Sequence, residues 1–329
     1  MAKALVAPYG RAMSTEAAVQ AALSQSDVRE AVRLLEVAAE DGDSLASFEL
    51  GRWYLAGQLV PRDLVASRSW FGRAAAAGHE RARMVHVALL AVGIGGQRSW
   101  SAALGELEQA SNDISQAAME LELIARMAID DEGNPRSIPT ATKESESPDV
   151  QWVRSLFTPE ECRALVSLAT PFLNPSVIVD PASGQLRPDP VRTSDAATFP
   201  WVDETPFIHA VNRRLAAVTG TAVEQGEPLQ VLRYSPGQEY RKHSDALPNA
   251  DNQRILTALV YLNEGFEGGE TVFPSAELTL RGKTGDVLVF RNTDEQSKSD
   301  PRAIHAGLPV TSGTKWLASR WIRERPFGR

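Results

Sequence analysis

The 329-residue sequence has a single cysteine, Cys162, so no disulfide can form within the chain. That usage fits a reducing compartment. Basic residues are not in excess either. Lys and Arg number 34 against 42 Asp and Glu, a formal net charge of −8. This excludes nucleic-acid binding through bulk charge. The deficit is not segregated: residues 1–130 carry 12 basic and 16 acidic side chains, so no basic module hides behind an acidic one. Long apolar runs are also missing. The longest, around residues 84–96, contains His86 and is too short to span a bilayer. The first residues show no apolar core of signal-peptide length. A cytoplasmic chain is expected, with neither nucleic acid nor membrane as partner. What remains is ordinary globular material, 43% hydrophobic and 23% charged, long enough for about two domains.

The first part of the chain repeats with a period of 36 residues: Gly42 and Gly78, Gly57 and Gly93, and the series Ala38, Ala74, Ala110. A period of this size signals stacked supersecondary units. In the best-formed unit, Ala46, Leu50 and Tyr54 make one helical face, Gly57 is a stop, and Pro61 and Asp63 suit a new start. Ala66, Trp70 and Ala74 then form a second stripe, closed by Gly78. The string from Leu50 to Gly57, followed by Ala66, Trp70-Phe71 and Ala74–Gly78, resembles a Sel-one-like repeat, a helix-pair family related to tetratricopeptide repeats. The resemblance implies protein–protein contact. A stack that only stabilises or spaces a second domain is the alternative. His79, His86 and His209 lack metal-ligand neighbours and read as surface or packing histidines.

The texture changes after residue 129. The stretch 130–149 is polar and rich in breakers and reads as a linker between a repeat domain, 1–129, and a second domain, 150–329. Thr158-Pro159-Glu160-Glu161 is a strong helix start, running to about Ala169, and a further helix is expected near 206–218. Short β-rich runs follow at 229–234, 255–262, 287–290 and 315–322. Helices first and strands afterwards point to an α+β domain around an antiparallel sandwich or barrel.

His243-Ser244-Asp245 carries the chemistry. On an extended strand, residues i and i+2 share a face, so imidazole and carboxylate can reach one ion. His305 is the candidate third ligand. Two His and one carboxylate on one face is the usual set for non-haem Fe(II). Alone the motif is weak; its surroundings strengthen it. Lys315, Leu317, Ser319 and Trp321 share a face of the last predicted strand. An ammonium there suits the far carboxylate of a dicarboxylic cosubstrate, with Tyr234 placed to assist. Trp316 falls on the opposite face, toward the core. Tyr261 suits cosubstrate contact and packing equally. Gly268-Gly269 suit a turn, and Cys162, beside Glu160 and Glu161, is a poor nucleophile.

With these residues stand Glu227–Tyr234, Pro236-Gly237-Gln238, Tyr240, Tyr261-Leu262-Asn263, Glu267–Pro274, Gly285–Phe290, His305-Ala306-Gly307, Gly313–Trp316 and Trp321–Glu324. Upstream, Val179-Asp180, Gly184 and Arg192-Thr193-Ser194 also fit. Residues 152–327 thereby resemble the 2-oxoglutarate/Fe(II) dioxygenases of the prolyl 4-hydroxylase type. The resemblance implies a double-stranded β-helix, or jelly roll, behind an α-helical repeat solenoid. It implies that His243, Asp245 and His305 bind Fe(II). It gives Lys315 the 2-oxoglutarate carboxylate with Thr271 and Tyr234 nearby, and Tyr240 and Trp321 the pocket lining. Arg254 is the weaker carry-over, as a peptide contact, and 176–200 matches a mobile loop over bound peptide. The implied reaction is prolyl hydroxylation of a peptide or protein. It uses Fe(II), 2-oxoglutarate and O2 with ascorbate as reductant and releases succinate and CO2. The repeats would recruit the target. Asp245 favours hydroxylation over halogenation, and Lys315 stands where nucleic-acid demethylating relatives use Arg. A small-molecule hydroxylase and a non-catalytic interaction or sensor protein are the alternatives. The short segment 246–252 leaves little lid over the metal, and the lone cysteine argues against a collagen-type secretory role.

Overall fold

The computed structural model describes residues 14–179 and 186–328. The chain divides into two compact units, Met1–Met127 with Trp201–His209, and Ala128–Pro200 with Ala210–Arg329. Among the described residues no helix is long and apolar enough to cross a membrane. Asp180 and Gly184, named above for their resemblance, lie outside the described residues.

Among the described residues before Met127 the first unit holds seven helices: α1 (Thr15–Ser24), α2 (Val28–Glu40), α3 (Ser44–Ala56), α4 (Leu64–Ala76), α5 (Glu80–Val92), α6 (Trp100–Ala110) and α7 (Ser115–Arg126). The 36-residue period is a period of helix ends. Asp43 and His79 cap the N-termini of α3 and α5, and Asp63 and Ser99 those of α4 and α6. Each cap accepts a backbone N–H of the first turn, a donor with no partner inside its helix. Gly57 and Gly93 end α3 and α5 in the left-handed region. A Cβ on them would lie 2.8 Å from Arg62 Cβ and 2.9 Å from Arg98 Cβ, so glycine is needed twice for one reason. His79 thus serves as a cap, with its ring stacked 4.3 Å from Phe48.

The predicted stripe on α4 is turned by one residue. Its buried positions are Ser67, Phe71, Ala74 and Ala75, while Trp70 packs on the cluster around Leu34, Leu35 and Leu50. Gly51 explains the turn. Ser67 Oγ donates to Gly51 O at 2.8 Å, and a Cβ on Gly51 would meet the Phe71 ring at 2.9 Å. The segment Trp201–His209 was expected in the second domain. Within the first unit, its Trp201 and Val202 pack on the Phe71 and Leu89 cluster.

The second unit runs β1 (Thr142–Glu146), β2 (Asp149–Val153), α8 (Pro159–Ala169), β3 (Asn174–Pro175), β4 (Val177–Val179), β5 (Leu186–Pro188) and β6 (Asp195–Phe199). Then come α9 (Pro206–Thr219), which belongs to this unit from Ala210 onward, β7 (Leu229–Tyr234), β8 (Tyr240–His243), β9 (Arg254–Tyr261), β10 (Glu267–Gly268), β11 (Thr271–Phe273) and β12 (Leu278–Leu280). The last strands are β13 (Val287–Arg291), β14 (His305–Gly307), β15 (Val310–Ser312) and β16 (Lys315–Arg323). Eight strands form one sheet, β1-β2-β13-β9-β16-β7-β6-β3, and four form another, β12-β11-β14-β8. The pairings are antiparallel. Side chains from both sheets meet in one apolar core that includes Trp152, Tyr261, Phe273, Phe290 and Leu317. The Phe273 and Phe290 rings touch edge to face at 5.1 Å. This is the sandwich of the expected jelly roll, and the predicted helix start at Thr158 is a complete capping box.

The expected linker contains structure. Asp130 Oδ1 accepts the backbone N–H of Glu132 and Asn134 in a turn, and 142–146 form β1 at the sheet's edge. β1 escapes a pattern reading because its residues are polar and mostly exposed, with no alternation to detect.

Gly285 offers a test of the fold. Its φ is +86°, and a Cβ on it would lie 1.9 Å from Phe157 O. Gly237 has φ +84° with nothing within 4 Å. We expect Gly237→Ala to cost about 1 kcal/mol of backbone strain and Gly285→Ala about 3 kcal/mol or more in urea unfolding. Equal losses would contradict the packing described.

Candidate active site

The register of β8 and β14 builds the centre: His305 is the cross-strand partner of His243. Their rings lie 4.2 Å apart. Each Nδ1 donates to a backbone carbonyl two residues upstream, His243 to Arg241 O at 2.8 Å and His305 to Ala303 O at 3.1 Å. That fixes the tautomer and leaves each Nε2 lone pair facing inward. Asp245 stands beside both, with Oδ1 3.5 Å from His243 Nε2 and Oδ2 3.7 Å from His305 Nε2. The strand stops at His243, and Asp245 follows in a bend. The i, i+2 argument therefore finds the right pair through a different backbone. Asp245 is turned inward by Thr257, whose Oγ1 donates to Oδ2 at 2.6 Å.

The three donor atoms lie within 4.8 Å of one another and form the sole such cluster among the described residues. Neighbouring ligands at right angles on a first-row ion with bonds of about 2.1 Å lie about 3 Å apart. His243 Nε2 is buried with no hydrogen-bond partner, an orphan that a cation would satisfy. The residues fit a divalent metal. Protonation agrees. Burial lowers His305 to about 4 against the pull of Asp245, so its ring is neutral at physiological pH. Burial by itself would raise Asp245; protonated His243 and His305 rings and the Thr257 hydroxyl pull it well below the usual carboxylate range, and with the rings neutral the Thr257 hydroxyl is the donor that remains. Phe273 and Phe290 wall in His305, at 5.4 and 4.6 Å between ring centres.

The cavity beside the triad is lined by Tyr234 and Leu232 of β7, Tyr240 of β8, Leu259 of β9 and Thr271 of β11. The strand β16 adds Lys315, Leu317, Ser319 and Trp321, the four that alternation predicted. Lys315 pairs with Tyr234 across the strands. It is 2% exposed, its Nζ donates to Gly269 O at 2.6 Å, and it lies over the Tyr234 and Tyr261 rings. No carboxylate of the described residues lies within ion-pair distance of it. Burial lowers its ammonium to about 7, opposed by Glu270 and helped by Arg281. A buried cation with a carbonyl and two aromatic faces is a receptor for an anion. Gly268 and Gly269 both take φ +69°, which brings the Gly269 carbonyl to Lys315.

The expected residues converge with one exception. His243, Asp245, His305, Lys315, Tyr234, Thr271, Tyr240 and Trp321 all line the cavity. Arg254 does not. Its guanidinium is bound in a fork by Glu227, at 2.6 and 2.8 Å, and stacks on Trp321 at 4.0 Å. Tyr261 is fully buried and places its hydroxyl 3.0 Å from Thr271 Oγ1, which makes it a support of the lining. Tyr240 stacks on the His243 ring at 3.5 Å. Sequence reasoning missed Leu232 and Leu259, whose alternation along β7 and β9 could have found them, and Thr257 and Asn292, which carried no motif signal.

Comparison with known proteins finds matches for both parts of the chain. The family model of the 2OG-Fe(II) oxygenase superfamily matches residues 229–323, and that of the Sel1 repeat matches 22–43 and 44–79. Prolyl 4-hydroxylase 1 of Arabidopsis thaliana is 37% identical over 198 residues, 54% of this chain and 70% of the relative. Probable prolyl 4-hydroxylase 10 of the same plant is 34% identical over 255 residues, 68% and 87% of the two chains. The crystal structure of viral collagen prolyl hydroxylase from Paramecium Bursaria Chlorella virus-1, a 2OG complex, has 29% identity and a TM-score of 0.43. That match covers 53% of this chain and 95% of that one. The catalytic unit is thus a 2OG-Fe(II) oxygenase, and the chain belongs to the prolyl 4-hydroxylase-like family of these enzymes.

The Lys315 ammonium, at about 7 in the free protein, gives a pH signature. A bound dicarboxylate holds Lys315 protonated, so binding above pH 7 must take up a proton. The affinity for 2-oxoglutarate is expected to be level below about pH 7 and to fall about tenfold per unit above it. Calorimetry in buffers of different ionisation enthalpy measures the uptake. A flat affinity between pH 6.5 and 8.5 would show that Lys315 is charged before the ligand arrives.

Proposed function

We propose that the chain hydroxylates prolyl residues of a peptide or protein, consuming 2-oxoglutarate and O2 and releasing succinate and CO2. The observation that carries this reading is one cavity holding both the His243, Asp245, His305 set and the buried Lys315 ammonium. The relatives named prolyl 4-hydroxylase support the substrate class.

In this reading His243, Asp245 and His305 hold Fe(II), which with 2-oxoglutarate and O2 supplies an oxidant able to attack an unactivated C–H bond, with ascorbate as the external reductant. The chain's own residues do the rest. Lys315 binds the far carboxylate of 2-oxoglutarate, and the Thr271 and Tyr234 hydroxyls complete its contacts. Leu232, Leu259 and Leu317 keep water from the cosubstrate. Trp321 and Tyr240 flank the space left for the prolyl ring. The Trp321 Nε1–H, buried without a partner, is available to a substrate carbonyl. Arg254, clamped by Glu227, supports Trp321 from behind and does not reach substrate.

The repeats are assigned target recruitment. A groove of about 390 Å³ in the first unit is lined by the small residues Gly72, Ala75 and Ala76 and by polar ones that include Arg83, His86, Glu106 and Asp113. Small residues leave room for a backbone, and the polar side chains can meet its carbonyls and amides. The work is assigned to the cytoplasm, where the one buried thiol, Cys162, stays reduced.

Mass spectrometry of proline-containing peptides and proteins incubated with Fe(II), ascorbate and 2-oxoglutarate tests the reaction. A one-oxygen gain on proline is expected, absent with His243→Ala. Lys315→Ala is expected to raise the 2-oxoglutarate KM about 100-fold. Succinate release by His243→Ala near the wild-type rate would refute the metal assignment. Recruitment predicts that Ala76→Trp, filling the groove, raises KM for a protein target about tenfold and leaves short peptides unchanged. An equal effect on both, or none on either, removes that role.

A further inference from the structure

We propose that Asn292, acting through Thr257, is a positioning residue for Asp245: a two-step donor relay that holds one carboxylate oxygen and presents the other to the metal. The proposal rests on the metal-centre reading above and adds to its Thr257 contact a residue that reading does not use, Asn292.

Asn292 Nδ2 donates to Thr257 Oγ1 at 2.9 Å, and Thr257 Oγ1 donates to Asp245 Oδ2 at 2.6 Å. All three side chains are nearly out of water, with Thr257 0% and Asn292 1% exposed. A hydroxyl has one proton, and an ionised carboxylate can only accept. The direction of the chain is therefore set at its far end. With the amide nitrogen of Asn292 against Thr257, the hydroxyl proton must go to Asp245. With an acceptor in that place, the same proton would be drawn the other way and two acceptors would face each other across Thr257.

Backbone hydrogen bonds anchor the Asn292 end of the relay, and strand pairing anchors its middle. The Asn292 N–H donates to Ile255 O at 2.9 Å, and its carbonyl accepts from the Asp300 N–H at 3.0 Å. Thr257 sits on β9 in register with Trp321. Asn292 Oδ1 is buried and has no partner. A buried amide oxygen left unpaired is a cost, and here the opposite end of the same amide is the one in use. Asp245 keeps Oδ1 toward His243 Nε2, at 3.5 Å, so the relay favours a one-point ligand and leaves room on the ion for cosubstrate.

The test is Co(II) binding to the metal-free full chain, followed by calorimetry and visible absorption. Thr257→Val and Asn292→Leu are each expected to weaken binding about 10- to 100-fold, and Thr257→Ser to stay within about threefold of wild type. The double variant is expected to be no weaker than Thr257→Val within about twofold, because the relay is already cut. Wild-type affinity in Thr257→Val, or an Asn292→Leu loss that multiplies in the double variant, overturns the relay. Should the apolar variants fail to fold, Asn292→Asp keeps the shape and replaces the donor with an acceptor. Weakened binding there supports the relay and unchanged affinity overturns it. Failure of the wild-type chain itself to bind Co(II) overturns the metal centre and the relay with it, whereas the other outcomes leave the metal centre standing.

Discussion

Three ionisable side chains, Asp245, His305 and Lys315, are withdrawn from water between two sheets with His243 half-buried beside them, and the second unit is organised around keeping them there. Charges in such a place are unstable unless each is paired, hydrogen-bonded or neutral. Each solution is visible. His305 is neutral, Asp245 is held by the Thr257 hydroxyl, and Lys315 has a carbonyl and two rings. What is not balanced is the function: an orphan nitrogen on His243 asks for a cation, and the Lys315 ammonium asks for an anion.

The backbone does most of the positioning. An antiparallel register sets His305 opposite His243 and Lys315 opposite Tyr234, so the ligating pair and the anion-binding pair come from two strand pairings rather than from long loops. Sites carried on paired strands hold their geometry better than sites on loops. Apolar neighbours close the space: Phe273 and Phe290 behind the imidazoles, Tyr261 under Lys315.

Much of this is legible in the sequence. The 36-residue repeat survives in the sequence because its glycines and caps answer local backbone demands, which composition records directly. Alternation along β16 named the pocket face. The metal ligands were legible because few residue types can do that work. Other features were not. Thr257 and Asn292 are ordinary residues whose role comes from where three strands converge, and no local pattern encodes that. Arg254 was misplaced because the sequence does not say that Glu227 would reach it first. The segment Trp201–His209 joins the first unit through contacts far apart in sequence, which periodicity cannot detect.

β1 has a consequence for the life of the chain among other chains. A sheet edge exposes unpaired N–H and C=O groups on which another strand can add. Here the edge is Thr142-Lys143-Glu144-Ser145-Glu146, while the strand behind it carries Val150, Trp152 and Val153, all buried. At the opposite edge stands Asn174-Pro175, where proline has no N–H to offer. Charge on one margin and proline on the other make the sheet a poor template for its own aggregation. The stretch that reads as a connector is the guard that lets an apolar strand sit second from the edge.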